Sequence, residues 1–217
     1  MSEINIYNHI EYTLLRPDAT QADFEKLLEI AKTYQLYGIC VPPYWVKKMR
    51  RDIGNDGVKL VTVAAFPFGY EKAEVKLAEI KQAIEDGADE IDTVLNITAF
   101  KTGMPAWAKA EIAQASKACH DAEKILKVII EIAYLSDKEI AEACRLCSDA
   151  GADFVKTSTG YASSGATIHA IEIMKKNIGK QVGIKASGGI KTKEFAWSLI
   201  AAGAERIGTS AHPDIFK

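Results

Sequence analysis

The sequence has no long run of basic residues and no extended apolar run. Its longest cationic stretch is KKMRR at 47–51, and the formal net charge is −2. Nucleic acids and anionic membrane surfaces attract proteins through basic patches, so neither is expected as a partner. No apolar run approaches the roughly 20 residues of a membrane-spanning helix. The first residues also lack the basic and apolar regions of a secretory signal, and we expect a cytoplasmic chain.

Cysteine is scarce, with four residues in a chain of 217. Cys144 and Cys147 form a lone C-x-x-C without a second pair, which is a weak indication of zinc or redox chemistry. They lie in EIAEACRLCSDAGA, whose spacing is typical of a helix. We interpret them as reduced thiols on a helix, as expected in the cytoplasm.

Linkers and low-complexity segments are missing too, and short β-branched runs alternate with amphipathic segments instead. Thr20 is the predicted N-cap of the first amphipathic segment, with Asp23 and Glu25 in its first turn. Eight strands are predicted, at 12–16, 38–42, 59–66, 90–96, 126–132, 154–158, 182–187 and 206–210.

Three junctions between a helix and a strand share the pattern G-A-[DE], at 87–89, 151–153 and 203–205. The glycine ends the helix, and the alanine lets the chain turn tightly into the strand. Repeated βα units of this kind predict a single-domain (β/α)8 TIM barrel, of class α/β, over residues 1–217. A doubly wound open sheet is the alternative, but its usual glycine-rich first turn is missing.

Strand alternation predicts that ionisable side chains meet inside this barrel. If the β-branched residues of strands four to seven face the helices, their charged neighbours face inward. The inward set is Asp92, Lys127, Glu131, Lys156 and Lys185. The opposite alternation would place Lys156 among the helices, where a lone ammonium has no partner.

Two buried lysines close together suggest chemistry, because burial and repulsion both disfavour the charged form. A lysine that becomes neutral is a nucleophile, which indicates Schiff-base formation with a carbonyl substrate. An inward Asp92 would supply proton transfers. A structural network of Asp–Lys ion pairs explains the same pattern equally well.

Glycines lie at or just after the ends of three predicted strands. They are Gly160, Gly188, Gly189 and Gly208. Backbone N–H groups in the loops after strands seven and eight of such barrels often bind phosphate. We therefore predict a phosphate site there rather than simple turns.

Five segments carry a resemblance to a known family: GADEIDTVLN, LKVIIE, GADFVKTSTG, KASGGI and IGTS. Together with YTLLRPDAT and GICVPP they resemble the deoxyribose-phosphate aldolases over nearly the whole chain. The resemblance implies cleavage of 2-deoxy-D-ribose 5-phosphate to glyceraldehyde 3-phosphate and acetaldehyde, with no cofactor and no metal. It also implies a homo-oligomer, either a dimer or a tetramer.

The resemblance implies roles for particular residues. Lys156 would form the Schiff base, Lys185 would perturb its pKa, and Asp92 would transfer protons with a water. The substrate and its phosphate would be held by Gly160, Gly188, Gly189, Gly208, Ser210, Cys40 and Thr13.

Three departures from the family pattern qualify that expectation. Glu11 stands where the family usually has aspartate, and Ala211 stands where it usually has a second serine. The final residues, HPDIFK, carry no tyrosine, although some members have one in a tail that assists proton transfer.

Two other functions compete with this one. A metal-dependent aldolase needs clustered histidine and carboxylate ligands. His120 and His169 fall on predicted helices, and His9 and His212 flank the ends of the chain. A barrel that binds phosphosugars without catalysis is the second alternative, and intact Asp92, Lys156 and Lys185 argue against it.

Overall fold

Eight parallel strands follow one another around a closed barrel in the computed structural model, which describes residues 5–217. Residues 1–4 of the predicted domain lie outside the described range. The strands are β1 Ile10–Thr13, β2 Gly38–Val41, β3 Lys59–Ala64, β4 Glu90–Val94, β5 Ile125–Ile129, β6 Phe154–Lys156, β7 Gly183–Ser187 and β8 Arg206–Thr209. The predicted (β/α)8 barrel is thus confirmed.

Eight α-helices of the described region surround the strands. They are α1 Gln21–Thr33, α2 Val46–Ile53, α3 Ala73–Glu85, α4 Ile97–Lys101, α5 Pro105–Asp121, α6 Asp137–Asp149, α7 Ile168–Asn177 and α8 Lys193–Ala202. Short 3-10 helices cover Ile6–His9, Pro43–Trp45, Ile132–Tyr134 and Pro213–Phe216. Within residues 5–217, no helix is both long and apolar enough to cross a membrane.

Local signals in the sequence account for the helix ends. Thr20 caps α1, and its backbone N–H donates to Asp23 Oδ2 at 2.7 Å. At the G-A-[DE] junctions, Gly87, Gly151 and Gly203 have φ values of 98°, 87° and 124°. These left-handed conformations favour glycine, and they end α3, α6 and α8 where the sequence predicts.

The apolar core lies mainly between the strands and the helices, where Ile91, Val155 and Ile184 are fully buried. Inside the barrel, a smaller apolar cluster comes from β2 and β3, where Cys40, Val61 and Val63 pack together with Leu15 and Phe66. The rest of the interior holds charged side chains from β1 and from β4 to β7.

The strand bounds agree with the prediction to within two residues at each end except in β1 and β5, each of which ends three residues earlier. β1 covers Ile10–Thr13 rather than 12–16, and its Glu11 pairs with Gly38 of β2 and Gly208 of β8. The charged Glu11 hides the start of this strand in the hydrophobicity pattern. β5 ends at Ile129 rather than at 132, because Glu131 adopts a left-handed φ of 51° and turns the chain into a 3-10 helix.

Candidate active site

Three lysine side chains converge on one buried carboxylate inside the barrel. Asp92 Oδ1 accepts a hydrogen bond from Lys127 Nζ at 2.9 Å. Its Oδ2 accepts from Lys156 Nζ at 2.8 Å and from Lys185 Nζ at 2.7 Å. The strand register produces this meeting, since Asp92 pairs with Lys127 and Lys156 pairs with Lys185 across neighbouring strands. Alternation along the strands predicts that these four side chains face into the barrel.

Two glutamates complete the charged cluster. Lys127 Nζ lies 2.5 Å from Glu90 Oε2 and 3.6 Å from Glu11 Oε1, and Lys185 Nζ donates to Glu11 Oε2. Three ammonium groups therefore face three carboxylates. The longer Glu11 side chain keeps a carboxylate on Lys185, where the family usually has aspartate. The sequence argument missed Glu90, although its alternation with Asp92 could have found it.

The cluster shifts the pKa values of Asp92, Lys127 and Lys185 in the direction that favours their charged forms. Burial opposes the charge of Asp92, but Lys127, Lys156 and Lys185 outweigh burial and hold its pKa well below the usual range. Burial likewise disfavours the ammonium of Lys185, yet Asp92 and Glu11 together raise its pKa. The pKa of Lys127 rises in the same way, because burial is outweighed by Asp92, Glu11 and Glu90.

The charge balance bears on the predicted repulsion between Lys156 and Lys185. The sequence argument expects that repulsion to lower the pKa of one of these two lysines, and the pKa of Lys185 moves upward. The argument did not include Glu11 and Glu90, which place negative charge beside Lys185 and Lys127. Lys185 consequently remains a cation beside Lys156.

Access to solvent separates Lys156 from the other lysines of the cluster. The side chains of Lys127, Lys185 and Asp92 have no exposed surface, while that of Lys156 is 4% exposed. Lys156 lines a cavity of about 440 Å³ at the carboxyl ends of the strands. The other lining residues are Thr13, Leu14, Leu15, Arg16, Thr159, Gly160, Tyr161, Ser187, Gly188, Gly189, Ile190, Lys191, Gly208, Thr209 and Ser210.

Most of the predicted binding residues thus share one cavity with Lys156, namely Thr13, Gly160, Gly188, Gly189, Gly208 and Ser210. Gly160, Gly188 and Gly189 have φ values of 90°, 87° and 76°, so side chains there would strain the backbone. A Cβ on Gly208 would lie 3.0 Å from Lys185 Cε. The sequence argument did not name Arg16 and Lys191, which add two cations to the cavity wall.

Cys40 lies apart from the cavity lining. It is fully buried in the barrel interior, where burial raises the pKa of its thiol to about 11. The other cysteines are also buried, and burial raises the pKa values of Cys119 and Cys144 to about 12. Cys144 and Cys147 both lie on α6, as the helical spacing predicts.

Glu131 is buried but does not join the lysines. Its Oε2 accepts a hydrogen bond from the backbone N–H of Thr159 at 3.2 Å, and it also accepts from the Thr159 hydroxyl. The prediction that Glu131 belongs to the inward charged set is therefore wrong. β5 ends two residues before Glu131, which instead anchors the loop after β6.

Histidines lie away from the cluster. His120 on α5 is 3.1 Å from Asp153, and His169 on α7 is 2.8 Å from Asp137. In the part of the chain that the structure describes, no group of three or more His, Cys, Asp or Glu side chains is arranged to hold a metal ion.

A buried lysine–carboxylate cluster beneath a cavity at the carboxyl ends of a (β/α)8 barrel defines a class of enzymes that act on small molecules. The sequence profile of the DeoC/LacD family aldolases matches residues 11–216. The chain belongs to this family, and it is an aldolase, a carbon–carbon lyase.

Curated relatives agree over nearly the full length. The deoxyribose-phosphate aldolase of Brevibacillus brevis is 45% identical over 208 residues, which cover 96% of this chain and 93% of the relative. That of Thermococcus kodakarensis is 45% identical over 213 residues, covering 97% and 95%.

Solved structures resemble the barrel closely. The aldolase QR15 superposes with a TM-score of 0.92 at 37% identity, covering 98% of this chain and 95% of its own. The tetrameric deoxyribose phosphate aldolase of Aeropyrum pernix superposes with a TM-score of 0.88 at 32% identity, covering 97% and 89%.

Proposed function

We propose that this aldolase reversibly cleaves 2-deoxy-D-ribose 5-phosphate to D-glyceraldehyde 3-phosphate and acetaldehyde through a Schiff base on Lys156. The observation that carries the proposal is the position of Lys156, which bonds to Asp92 and also lines the cavity. Lys127 and Lys185 bond to the same carboxylate but have no exposed side chain. The names of the curated relatives support the same substrate for this chain.

In the proposed reaction, the neutral amine of Lys156 attacks the C1 aldehyde and forms a carbinolamine. Loss of water gives an iminium ion, which withdraws electrons from C2. Removal of the C3 hydroxyl proton then breaks the C2–C3 bond, because acetaldehyde retains C1 and C2. The enamine left on Lys156 takes a proton at C2, and water releases acetaldehyde and the free amine. The imine itself is the electron sink, so this mechanism uses no cofactor.

Asp92 would serve this reaction as the proton acceptor. It is ionised and lies 2.8 Å from Lys156 Nζ. When Lys156 becomes uncharged, one of the three cations that lower the pKa of Asp92 is lost, and the carboxylate becomes a stronger base. Lys185 stays an ammonium beside it and disfavours a second positive charge on Lys156.

The phosphate would bind at the glycine-rich strand ends that line the cavity. Backbone N–H groups of Gly160, Gly188, Gly189 and Gly208 and the hydroxyl of Ser210 would hold it. Thr13 lines the same cavity, while Cys40 is buried in the barrel interior outside the lining. Lys191 adds positive charge to the cavity wall, which would attract a phosphorylated substrate despite the loss of the second serine at Ala211.

Chemical trapping tests the proposal. Borohydride added during turnover of deoxyribose 5-phosphate should reduce the imine and leave a covalent adduct on the peptide that contains Lys156. Lys156→Met should abolish the adduct and lower kcat by roughly a thousandfold or more. The matched control Lys81→Met, on the exposed face of α3, should behave like the wild type. An adduct and normal turnover in Lys156→Met would reject the mechanism.

Two further measurements separate the competing functions. Activity that survives a chelator argues for the lysine mechanism, whereas activity that a chelator removes favours a metal-dependent aldolase. Calorimetric binding of the sugar phosphate without turnover would favour a binding protein.

We also propose that the chain forms a homo-oligomer, either a dimer or a tetramer, and works in the cytoplasm. The tetrameric relative supports assembly, as do exposed aromatic side chains such as Tyr44, Phe68 and Trp107. Light scattering on the purified chain would give its mass in solution, and a monomeric mass at all concentrations would reject assembly.

A further inference from the structure

Tyr161 bridges the mouth of the barrel. It lies in the loop after β6, and its hydroxyl donates a hydrogen bond to the Leu15 carbonyl oxygen at 2.9 Å. Its ring meets Phe66 edge-on, with ring centroids 5.5 Å apart and an interplanar angle of 85°. Leu15 follows β1, and Phe66 follows β3. One side chain therefore joins loops that follow three different strands.

The strand order shows how far this bridge reaches. The barrel closes in the order β1 to β8, so β6 stands opposite β2, whose neighbours are β1 and β3. A side chain from the β6 loop that touches both the β1 loop and the β3 loop spans the opening from one side to the other. Tyr161 is 53% exposed, and it lines the same cavity as Lys156.

The bridge divides the surroundings of Lys156 into two unlike halves. On the side of β7 and β8 lie Gly188, Gly189, Gly208, Ser210 and Lys191. On the side of β2 and β3 lies the apolar cluster of Cys40, Val61 and Val63, against which Leu15 and Phe66 pack. Both contacts of Tyr161 across the mouth, Leu15 and Phe66, belong to the wall of that apolar half.

We propose that Tyr161 determines donor specificity by disfavouring aldehydes longer than two carbons for enamine formation on Lys156. This inference rests on the proposed function. If the phosphate binds beside Gly188, Gly189 and Gly208, the bond formed at the enamine carbon points toward β7 and β8. Any further alkyl group on that carbon must then turn toward the apolar half, where the Tyr161 bridge closes the space.

The chemistry of the apolar half sets the direction of the expected change. Removing the ring opens space beside Leu15 and Phe66, and an added methyl group there would be buried among apolar side chains. One methyl group in an apolar pocket changes discrimination by about 10-fold or more. Removing the Tyr161 ring should therefore raise the reactivity of propanal relative to that of acetaldehyde as the donor.

Donor competition tests the inference in the synthetic direction, with glyceraldehyde 3-phosphate as the acceptor. The readout is the ratio of kcat/KM for propanal to kcat/KM for acetaldehyde. Tyr161→Ala should raise this ratio about 10-fold. Tyr161→Phe keeps the ring and loses the bond to Leu15, so its ratio should rise less. Tyr134→Ala is the matched control, because Tyr134 follows β5, is 54% exposed and does not line the cavity.

The outcomes distinguish the two proposals. If borohydride traps acetaldehyde on Lys156 in the wild type but the ratio in Tyr161→Ala stays within twofold of the wild type, the bridge does not set specificity. An equal rise in Tyr134→Ala would also overturn the inference. If acetaldehyde leaves no adduct on wild-type Lys156, the Schiff-base function and the inference both fail. Thermal denaturation verifies that each variant is folded, and Tyr161→Phe carries the test if the alanine variant is not.

Discussion

At the scale of single residues, the charged cluster shows what sequence alternation can find and what it cannot. Asp92, Lys127, Lys156 and Lys185 lie on four consecutive strands, and their β-branched neighbours fix which side faces inward. The Glu11 contact could not be predicted in this way, because the hydrophobicity pattern placed β1 two residues too late. The charge balance of the interior was consequently incomplete in the sequence argument, because Glu11 and Glu90 supply two of its three carboxylates.

Glu11 is the residue whose charge we expect to matter most for stability. It is fully buried, with Lys185 on one oxygen and Lys127 at 3.6 Å from the other. Glu11→Gln keeps the shape of the side chain but removes one of the three negative charges. Breaking a buried ion pair on one side costs about 3–5 kcal/mol. Urea denaturation at pH 7 should show a free energy of unfolding that is lower by this amount.

Two companion variants make the Glu11 result interpretable. Glu11→Asp restores the charge at a shorter reach, so it should recover part of the loss. Glu25→Gln on α1 removes an exposed carboxylate that meets Lys48 at the surface, and it should leave the free energy of unfolding nearly unchanged. Equal losses in Glu11→Gln and Glu25→Gln would mean that the cluster does not depend on charge balance.

At the scale of elements, the helices fix the strand ends on which the site is built. Lys76 of α3 is buried, and its Nζ donates to Val94 O at the end of β4 at 2.8 Å. The same nitrogen donates to Gly69 O at 3.2 Å and lies 3.2 Å from Glu111 Oε2 on α5. One ammonium thus connects two helices, the end of β4 and the loop after β3. The end of β4 is held two residues beyond Asp92.

Replacing this ammonium should loosen the end of β4. Lys76→Met keeps the aliphatic stem but leaves two carbonyl groups and Glu111 without their common donor. An unsatisfied buried acceptor costs about 1–3 kcal/mol, so the free energy of unfolding should fall by at least that amount. Hydrogen exchange should also accelerate at the Leu95 amide. This amide donates to Ile129 O and follows Val94, whose carbonyl group accepts from Lys76.

Lys81→Met on the exposed face of the same helix is the control, and it should change stability by less than about 0.5 kcal/mol. Unchanged exchange at Leu95 in Lys76→Met would show that the rest of the barrel holds β4 without this contact.

The sequence predicted the elements better than it predicted their partners. The glycine at each G-A-[DE] junction predicts a helix end from local backbone geometry alone, and Gly87, Gly151 and Gly203 all adopt the required conformation. Lys76 and Tyr161 gave no such local signal. Their partners lie on elements that are distant in sequence, such as Leu15, which is 146 residues from Tyr161. Only barrel closure brings them together.

At the scale of the whole molecule, the charged interior couples the stability of the barrel to pH on both sides of neutrality. For Asp92 and Glu90, burial opposes ionisation but the lysines lower both pKa values. A carboxylate with a lowered pKa stabilises the folded state above its ordinary pKa near 4, and that contribution is lost as the pH falls. The raised pKa values of Lys127 and Lys185 act in the opposite direction. Their contribution is complete below an ordinary pKa near 10.4 and is lost as the pH rises through the folded values.

We therefore expect the free energy of unfolding to form a plateau from about pH 5 to about pH 10 and to fall beyond both ends. Urea denaturation at a series of pH values measures this profile.

Asp92→Asn should lower the plateau, because three ammonium groups then share two carboxylates. It should also make the acid slope shallower by up to about 1.4 kcal/mol per pH unit, since one group no longer takes up a proton on unfolding. Glu90→Gln should act in the same direction and less strongly, because Glu90 meets one lysine at close range whereas Asp92 meets three. An acid slope that neither substitution changes would show that surface carboxylates, rather than the barrel interior, govern acid unfolding.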